Sequence, residues 1–143
     1  MRVILGIAML TLASLAAAAE PRFVALDVII DAAEPVAAWQ FELSDRNRTM
    51  TVVGVENGDS PAFMDAPYYD RDAVADGSAD RIVVADFSLD ADRLPSGRFR
   101  IATIHVMVED GEPDFALKLI NTTTRDGRRI DATATLQMTK ERT

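Results

Sequence analysis

Residues 36–43, VAAWQFEL, carry the pattern that most restricts what this chain can fold into. Apolar residues alternate with mixed ones, and the only tryptophan lies within the apolar set: Ala37, Trp39, Phe41 and Leu43. A period of two residues is typical of a half-buried β-strand, because successive side chains point to opposite faces of a sheet. We therefore predict a strand whose Trp39 face packs in the core, with Gln40 and Glu42 on the other face.

Six further runs show a similar strand-like pattern, with turn residues between them: 23–30, 50–55, 81–88, 98–108, 115–121 and 130–136. Residues 62–79 are the least regular part. Here we expect a long loop with at most a short strand near Phe63 and one helical turn over 70–75. Short strands joined by turns rich in Gly, Pro and Asp predict an all-β, antiparallel sandwich or barrel.

The N-terminal residues are typical of a secretory signal peptide, residues 1–19. Arg2 precedes an apolar run, and Ala17-Ala18-Ala19 supplies the small residues of a cleavage site. The alternative is an uncleaved anchor, but residues 3–19 are at the short limit for spanning a bilayer. We expect cleavage before Glu20, a single domain over residues 20–143, and a secreted or periplasmic location. The chain has no cysteine, so its stability cannot come from disulfides, and thiolate metal sites are excluded.

The acidic composition limits the classes of partner. The formal net charge is -8, and it becomes about -9 once Arg2 is lost with the signal peptide. Neutralisation of phosphates dominates binding to nucleic acids, so an acidic surface disfavours nucleic acid and anionic membranes. We expect neither as a partner of the mature chain. An acidic surface remains compatible with calcium or with a partner that carries basic groups.

The sequence contains none of the common catalytic motifs. There is no G-x-S-x-G, phosphate-binding loop, G-x-G-x-x-G or H-E-x-x-H motif. The single histidine, His105, lies in the middle of a predicted strand beside Thr103 and Met107, which favours a surface or cross-strand packing role over catalysis. A pair of carboxylates for glycoside hydrolysis remains conceivable, but the 23 acidic residues give no basis for choosing one. A small secreted hydrolase is therefore the weakest hypothesis, and we expect no enzyme activity.

Two acidic runs raise the question of calcium, whose preferred ligands are hard oxygens. Neither run has the spacing of a calcium-binding EF-hand loop, so solvated turns are the favoured interpretation. We expect no cofactor, with calcium as the alternative. The runs are Asp65, Asp70, Asp72, Asp76 and Asp80, and Glu109, Asp110, Glu112 and Asp114.

The aromatic residues suggest two different roles. Tyr68 and Tyr69 follow Pro67, where they could form a stacking platform for a glycan, provide a contact for a protein, or cap one end of the sandwich. A tyrosine suits all three positions, because it has an apolar ring and a polar end. Trp39 is different, since its place in the alternating pattern predicts packing in the core.

The order of the motifs resembles the cohesin family. The segments are AAWQFEL, TVVGVENG, RIVVADFS and GRFRIATIHVMV, and together with the opening strand they span residues 23–136. Cohesins carry strands of the types G-F-Q-F-x-L, V-x-x-V-x-x-G, I-x-V-A-x-x-S and G-x-L-x-x-I-x-F in this order. The resemblance implies a jelly-roll β-sandwich of about eight to nine strands, related to certain carbohydrate-binding modules.

The resemblance also implies a function. Cohesins are not enzymes; they bind dockerin modules through one face of a sheet. By this resemblance, the chain is a binding module for an exported, dockerin-like protein. Its contact residues would be the outward positions of three strands: Gln40, Glu42, Val83, Ala85, Lys118 and Ile120. The alternative is a carbohydrate-binding module that uses Tyr68 and Tyr69 to hold a polysaccharide.

Overall fold

The structure is a computed structural model and describes residues 20–139. The predicted signal peptide, residues 1–19, lies outside the described residues. The described part contains seven strands, one 3₁₀-helix and one short α-helix. In chain order these are β1 (Arg22–Ala32), β2 (Ala38–Asp45), β3 (Met50–Asn57), the 3₁₀-helix (Pro61–Phe63), α1 (Arg71–Asp76), β4 (Arg81–Phe87), β5 (Gly97–Val108), β6 (Phe115–Thr123) and β7 (Ala132–Thr139).

The strands form two antiparallel sheets. Sheet A has four strands in the order β3-β5-β1-β7, and sheet B has three in the order β4-β2-β6. Inward side chains of both sheets meet in one buried cluster, so the architecture is all-β and sandwich-like. The predicted all-β, antiparallel class and all seven predicted strands are confirmed. Within residues 20–139 the strand count is seven, below the eight to nine that the resemblance implies.

β2 is the central strand of sheet B, and its alternating sequence accounts for that position. Trp39, Phe41 and Leu43 are buried, whereas Gln40 and Glu42 are only half-buried. The rings of Trp39 and Phe41 stack with centroids 5.7 Å apart, and the edge of Phe63 approaches Trp39 at 6.1 Å. An aromatic cluster of this kind contributes both buried area and ring–ring contacts to the core. The predicted core role of Trp39 is confirmed.

β5 departs from simple alternation at one position. The register between β1 and β5 shifts between Val28 and Ile29, which marks a bulge. A bulge adds one residue to one strand and changes the face on which the following side chains lie. The extra residue is Ile101 of β5, which lies between Ala102, opposite Val28, and Arg100, opposite Ile29. Ile101 and Ala102 are consequently both buried, although they are consecutive residues of one strand.

The segment between β3 and β4 corrects one prediction and confirms another. Residues 61–63 form a 3₁₀-helix, not a short strand, because the Ser60 side chain accepts from the N–H of Ala62 and Pro61 begins the helix. The predicted helical turn is present as α1. Asp70 caps its N-terminus and Gly77 ends it in a left-handed conformation.

Asp45 joins the turn after β2 to the loop before β6. It is 7% exposed, and its carboxylate accepts four hydrogen bonds. The Thr49 N–H and hydroxyl donate to Oδ2 at 2.6 and 2.7 Å, and the N–H groups of Asn47 and Asp114 donate to Oδ1 at 3.0 and 2.7 Å. Burial alone would raise the pKa of Asp45, but these hydrogen bonds outweigh it and lower the pKa to about 2.

Asp45 is therefore expected to make the fold sensitive to acid. Its pKa is lower in the folded chain than the 3.8 of an unperturbed aspartate, so its stabilising effect is present above about pH 4 and is lost toward about pH 2. We predict that Asp45→Asn lowers the free energy of unfolding, and that its deficit relative to the unsubstituted chain shrinks by about 2 kcal/mol between about pH 6 and pH 2. Urea unfolding at each pH measures this deficit. Asp92→Asn, at an exposed position, is the control, and a pH-independent deficit in Asp45→Asn would contradict the prediction.

Candidate binding face on the three-stranded sheet

The six predicted contact residues all lie on β2, β4 and β6 of sheet B. In the register of the sheet, Gln40 lies opposite Ala85, and Glu42 lies between Val83 and Lys118. Residues directly opposite one another share a face of the sheet. These five residues therefore share the outward face of sheet B, and the buried faces of β2 and β4 lie on the other side.

Ile120 joins this face through a bulge. The register between β2 and β6 shifts between Gln40 and Phe41, so Ile120 is the extra residue between Leu119, opposite Phe41, and Asn121, opposite Gln40. Lys118 is exposed and Ile120 is half-buried. The sheet thus places all six predicted residues in neighbouring rows. We call the outward side of sheet B, including its neighbour Tyr68, the binding face.

An exposed aromatic pair lies at one end of the binding face. The rings of Tyr68 and Phe87 stack with centroids 6.0 Å apart and an angle of 7° between their planes. Tyr68 is 62% exposed and Phe87 is 54% exposed. Two backbone hydrogen bonds hold Tyr68 against β4: its N–H donates to the Ala85 carbonyl at 2.8 Å, and the Ala85 N–H donates back at 3.0 Å. The pair is therefore a firmly held apolar surface that faces solvent.

The two tyrosines of the sequence do not form a common platform. Tyr69 packs against the core, and the Arg71 guanidinium lies 4.5 Å from the centre of its ring. Arg71 also donates a hydrogen bond to the Tyr69 hydroxyl at 3.1 Å. The aromatic partner of Tyr68 is instead Phe87, which the sequence analysis did not select. The available signal was alternation, because Phe87 follows Val83 and Ala85 on the same side of β4.

A shallow depression of about 250 Å³ lies beside the aromatic pair. The amide side chains of Gln40 and Asn121 line it together with both rings. Apolar ring surface beside amide donors and acceptors suits a ligand that carries both apolar and hydrogen-bonding groups. The depression is lined by Ala38, Trp39, Gln40, Tyr68, Ala85, Asp86, Phe87 and Asn121.

Asp86 is the buried acid beneath this end of the face. Burial raises the pKa of its carboxyl, the hydrogen bond from the Phe87 N–H lowers it, and the charge of Asp65 raises it further. The Phe87 N–H donates to Oδ1 at 2.8 Å. Asp86 lies opposite Trp39, and Trp39 lies opposite Thr122. Within the part of the chain that the structure describes, the Trp39 Nε1 and Thr122 Oγ1 atoms are buried without hydrogen-bond partners, so fewer polar groups are paired in this inner row than elsewhere in the core.

The opposite end of the binding face carries charge. The Arg81 guanidinium lies 3.7 Å from the Glu42 carboxylate, and Lys118 lies opposite Glu42 on the neighbouring strand. The Arg81 and Lys118 side chains are exposed and that of Glu42 is half-buried, so these charges contribute little to the stability of the fold. Their arrangement gives the face an apolar end and a charged end.

Several acidic residues of the two runs act within turns and loops. Asp70 accepts from the Ala73 N–H at the start of α1, and Asp76 accepts from the N–H and hydroxyl of Ser78. In the second run, Glu112 pairs with Arg22, and Asp114 pairs with Arg46. Among residues 20–139, no three His, Cys, Asp or Glu side chains form a group that could hold a metal ion.

His105 lies on the outer face of sheet A, away from the binding face. Its Nε2 atom is 3.3 Å from the Glu56 carboxylate on the adjacent strand. It lies opposite Ala25 on one side and Gly54 on the other. This is the cross-strand packing role that the sequence favoured.

Comparisons with known proteins give no family for the chain. No helix within residues 20–139 is long and apolar enough to cross a bilayer. The chain matches no protein-family model, and it has no match among the curated proteins or the solved structures. Its function is therefore argued from the binding face itself.

Proposed function

We propose that the chain is an exported, non-catalytic binding module that recognises a protein partner through the binding face. The observation that carries this proposal is the stacked pair of Tyr68 and Phe87, more than half exposed, beside Val83 and Ala85 on the same face. Aromatic residues are enriched among the residues that dominate binding energy in protein interfaces. The charged groups at the other end of the face would then set the orientation of the partner.

The cohesin resemblance supplies the finer form of the proposal. The fold would be a jelly roll, and the partner a dockerin-like exported protein. Two antiparallel sheets and the bridge of Tyr68 to the edge of β4 are compatible with this topology. Removal of residues 1–19 would release the domain to the periplasm or the medium. The mass of the exported chain tests that cleavage directly.

Binding to a protein is expected to depend on Val83. We predict that Val83→Lys lowers the affinity for the partner by about tenfold or more. The charged lysine side chain would lie where binding of the partner removes water. Lysine is preferable to aspartate here, since Val83 lies opposite Glu42 and a second acid would add repulsion to the fold. In the assay, residues 20–143 are immobilised, and the exported proteins of the host are applied first with calcium and then with chelator. The affinity of the retained protein is then measured by titration.

The matched control is Thr135→Lys, which places the same charge on β7 of the other sheet. It is expected to retain the partner as the unsubstituted chain does. Equal retention by the Val83→Lys chain would contradict the assignment of this face. A large loss of stability in Val83→Lys would also contradict it, because Val83 would then belong to the core. Dependence of retention on calcium would favour a dockerin-type partner.

Carbohydrate binding is the second candidate, and one observation favours it. The nearly coplanar rings of Tyr68 and Phe87 lie beside the amides of Gln40 and Asn121, which suits the apolar face and hydroxyls of a sugar ring. If the ligand is a polysaccharide, an array of glycans binds the chain, and Tyr68→Ala or Phe87→Ala abolishes binding. Tyr69→Phe is the control, because Tyr69 packs against the core. Hydrolase activity remains the weakest hypothesis.

A further inference from the structure

The outer edge of β7 differs from the other three sheet edges. β7 pairs with β1 on one side, and no described strand pairs with its other side. Its sequence, ATATLQMT, contains no charged residue, proline or glycine. An edge strand presents unpaired N–H and C=O groups, and proteins usually protect such edges with charges, prolines, bulges or covering segments. β7 has none of the first three of these features.

The three other edges are protected. Tyr68 forms two backbone hydrogen bonds with the edge of β4. β6 carries the exposed Lys118 and a bulge at Ile120, and the Ile130 N–H donates to the Thr122 carbonyl near its end. The β3 edge has a register shift after Val52, whose own N–H donates to the Ala79 carbonyl in the loop before β4. Compared with these three edges, the edge of β7 is the one that could pair with a further strand.

A groove lined by both apolar and charged residues runs beside this edge. It has a volume of about 840 Å³, and its apolar lining includes Leu26, Phe115, Leu136 and Met138. Met138 is 70% exposed, although it lies opposite the fully buried Leu26 and thus shares its inward face. A strand added to β7 would place alternate side chains over this groove and remove Met138 from water.

We propose that the occupant of this edge is the β7 strand of a second copy of the chain, paired antiparallel across a twofold axis at Thr135. In this register Thr133 lies opposite Gln137, Ala134 opposite Leu136, and Ala132 opposite Met138. Outward polar residues meet outward polar residues, and inward apolar residues meet inward apolar residues. The two copies of sheet A then form one continuous eight-stranded sheet.

The sequence of β7 favours a second copy over an unrelated strand, because it is complementary to itself. Threonine or glutamine occupies each outward position from 133 to 139, and alanine, leucine or methionine each inward one. Pairing across a twofold axis uses the same surface twice, so one alternating strand supplies both partners. No like charges face each other in this register, because the described strand carries none.

Light scattering on residues 20–143 tests the proposal. The unsubstituted chain is expected to be a dimer, and Thr135→Lys a folded monomer, because two lysines would face each other at the axis. Val83→Lys, which changes the other sheet, is expected to remain a dimer. A chain that stays monomeric at about 1 mM overturns the proposal, and so does a dimer that Thr135→Lys leaves intact.

Cysteine cross-linking tests the register. The chain has no cysteine, so each introduced thiol is unique. Thr135→Cys places two thiols opposite each other, where Cα atoms are about 4.5–5.5 Å apart and a disulfide can form. Gln137→Cys is the control, since its two copies would be offset by about 13 Å along the strands. Efficient dimer formation by Thr135→Cys alone supports the register, and equal cross-linking by both variants overturns it.

Different experimental results would contradict the proposed dimer and the proposed function of the binding face. Retention of the partner by Val83→Lys would contradict only the proposed function. A dimer that Thr135→Lys leaves intact would contradict only the pairing at the β7 edge. A monomeric chain whose β7 amides become protected from hydrogen exchange only when the exported partner is added would assign the edge to that partner and overturn the second copy.

Discussion

Trp39→Ala is expected to lower the free energy of unfolding by about 3–5 kcal/mol, the range for removing a large aromatic side chain from a core. Trp39 is 2% exposed, stacks on Phe41 and meets the edge of Phe63. Its removal would leave a cavity under the central strand of sheet B, directly beneath the binding face. Urea unfolding followed by far-UV circular dichroism measures the loss, because the variant has no tryptophan fluorescence.

Trp39→Phe is the matched variant, and it is expected to cost clearly less than Trp39→Ala. The indole Nε1 of Trp39 has no hydrogen-bond partner among residues 20–139, so phenylalanine gives up no hydrogen bond to them and retains an aromatic ring. The phenylalanine variant should also keep partner binding, because the outward side of β2 is unchanged. A cost below about 1 kcal/mol for Trp39→Ala would mean that the cluster around this residue does not support the fold.

Gly58→Ala is expected to destabilise the fold by about 3 kcal/mol or more, at or above the usual range for overpacking. A Cβ atom at Gly58 would lie 2.0 Å from the Arg100 carbonyl oxygen and 2.8 Å from the Ile101 carbonyl carbon. Both are backbone atoms of β5, so they cannot move aside as a flexible side chain would. The Asp59 carboxylate pairs with the Arg100 guanidinium at 2.6 Å, which holds the loop against the strand.

Gly54→Ala is the control for Gly58→Ala. Gly54 lies on the neighbouring β3 strand, and a Cβ atom there would lie 3.7 Å from the His105 side chain, an ordinary contact distance. Alanine also loses less backbone entropy on folding than glycine, so this variant is expected to be neutral or slightly stabilising. Thermal unfolding of the two variants side by side decides the matter. Equal transition temperatures would show that Gly58 does not contact β5 closely.

Alternation was sufficient to predict the strands, because each strand has one face in the core. β2 is the clearest example: Trp39, Phe41 and Leu43 are buried as the pattern requires. β5 follows the same rule, with Ile104, Val106 and Val108 buried. The short strand expected near Phe63 is a 3₁₀-helix, and the sequence contained a signal for it, because Ser60 followed by Pro61 is a typical helix start.

The binding face could be predicted only in part. The cohesin resemblance selected the six residues as outward positions of three strands, and the sheet brings them into adjacent rows. It could not show that Tyr68 reaches the edge of β4, since that contact joins residues far apart in the sequence through backbone hydrogen bonds. The separation of Tyr68 from Tyr69 was missed for the same reason.

The all-β class and the inward and outward residues of the strands away from the bulges follow from the order of residues alone, because alternation depends only on neighbours along the chain. The meeting of strand edges, the positions where bulges redirect side chains, and the contact of Gly58 with β5 follow only from the folded arrangement. It also decided that the turn acid Asp45 is buried under four hydrogen bonds from two separate loops. These features depend on contacts between distant segments, whose pairing a local pattern does not encode.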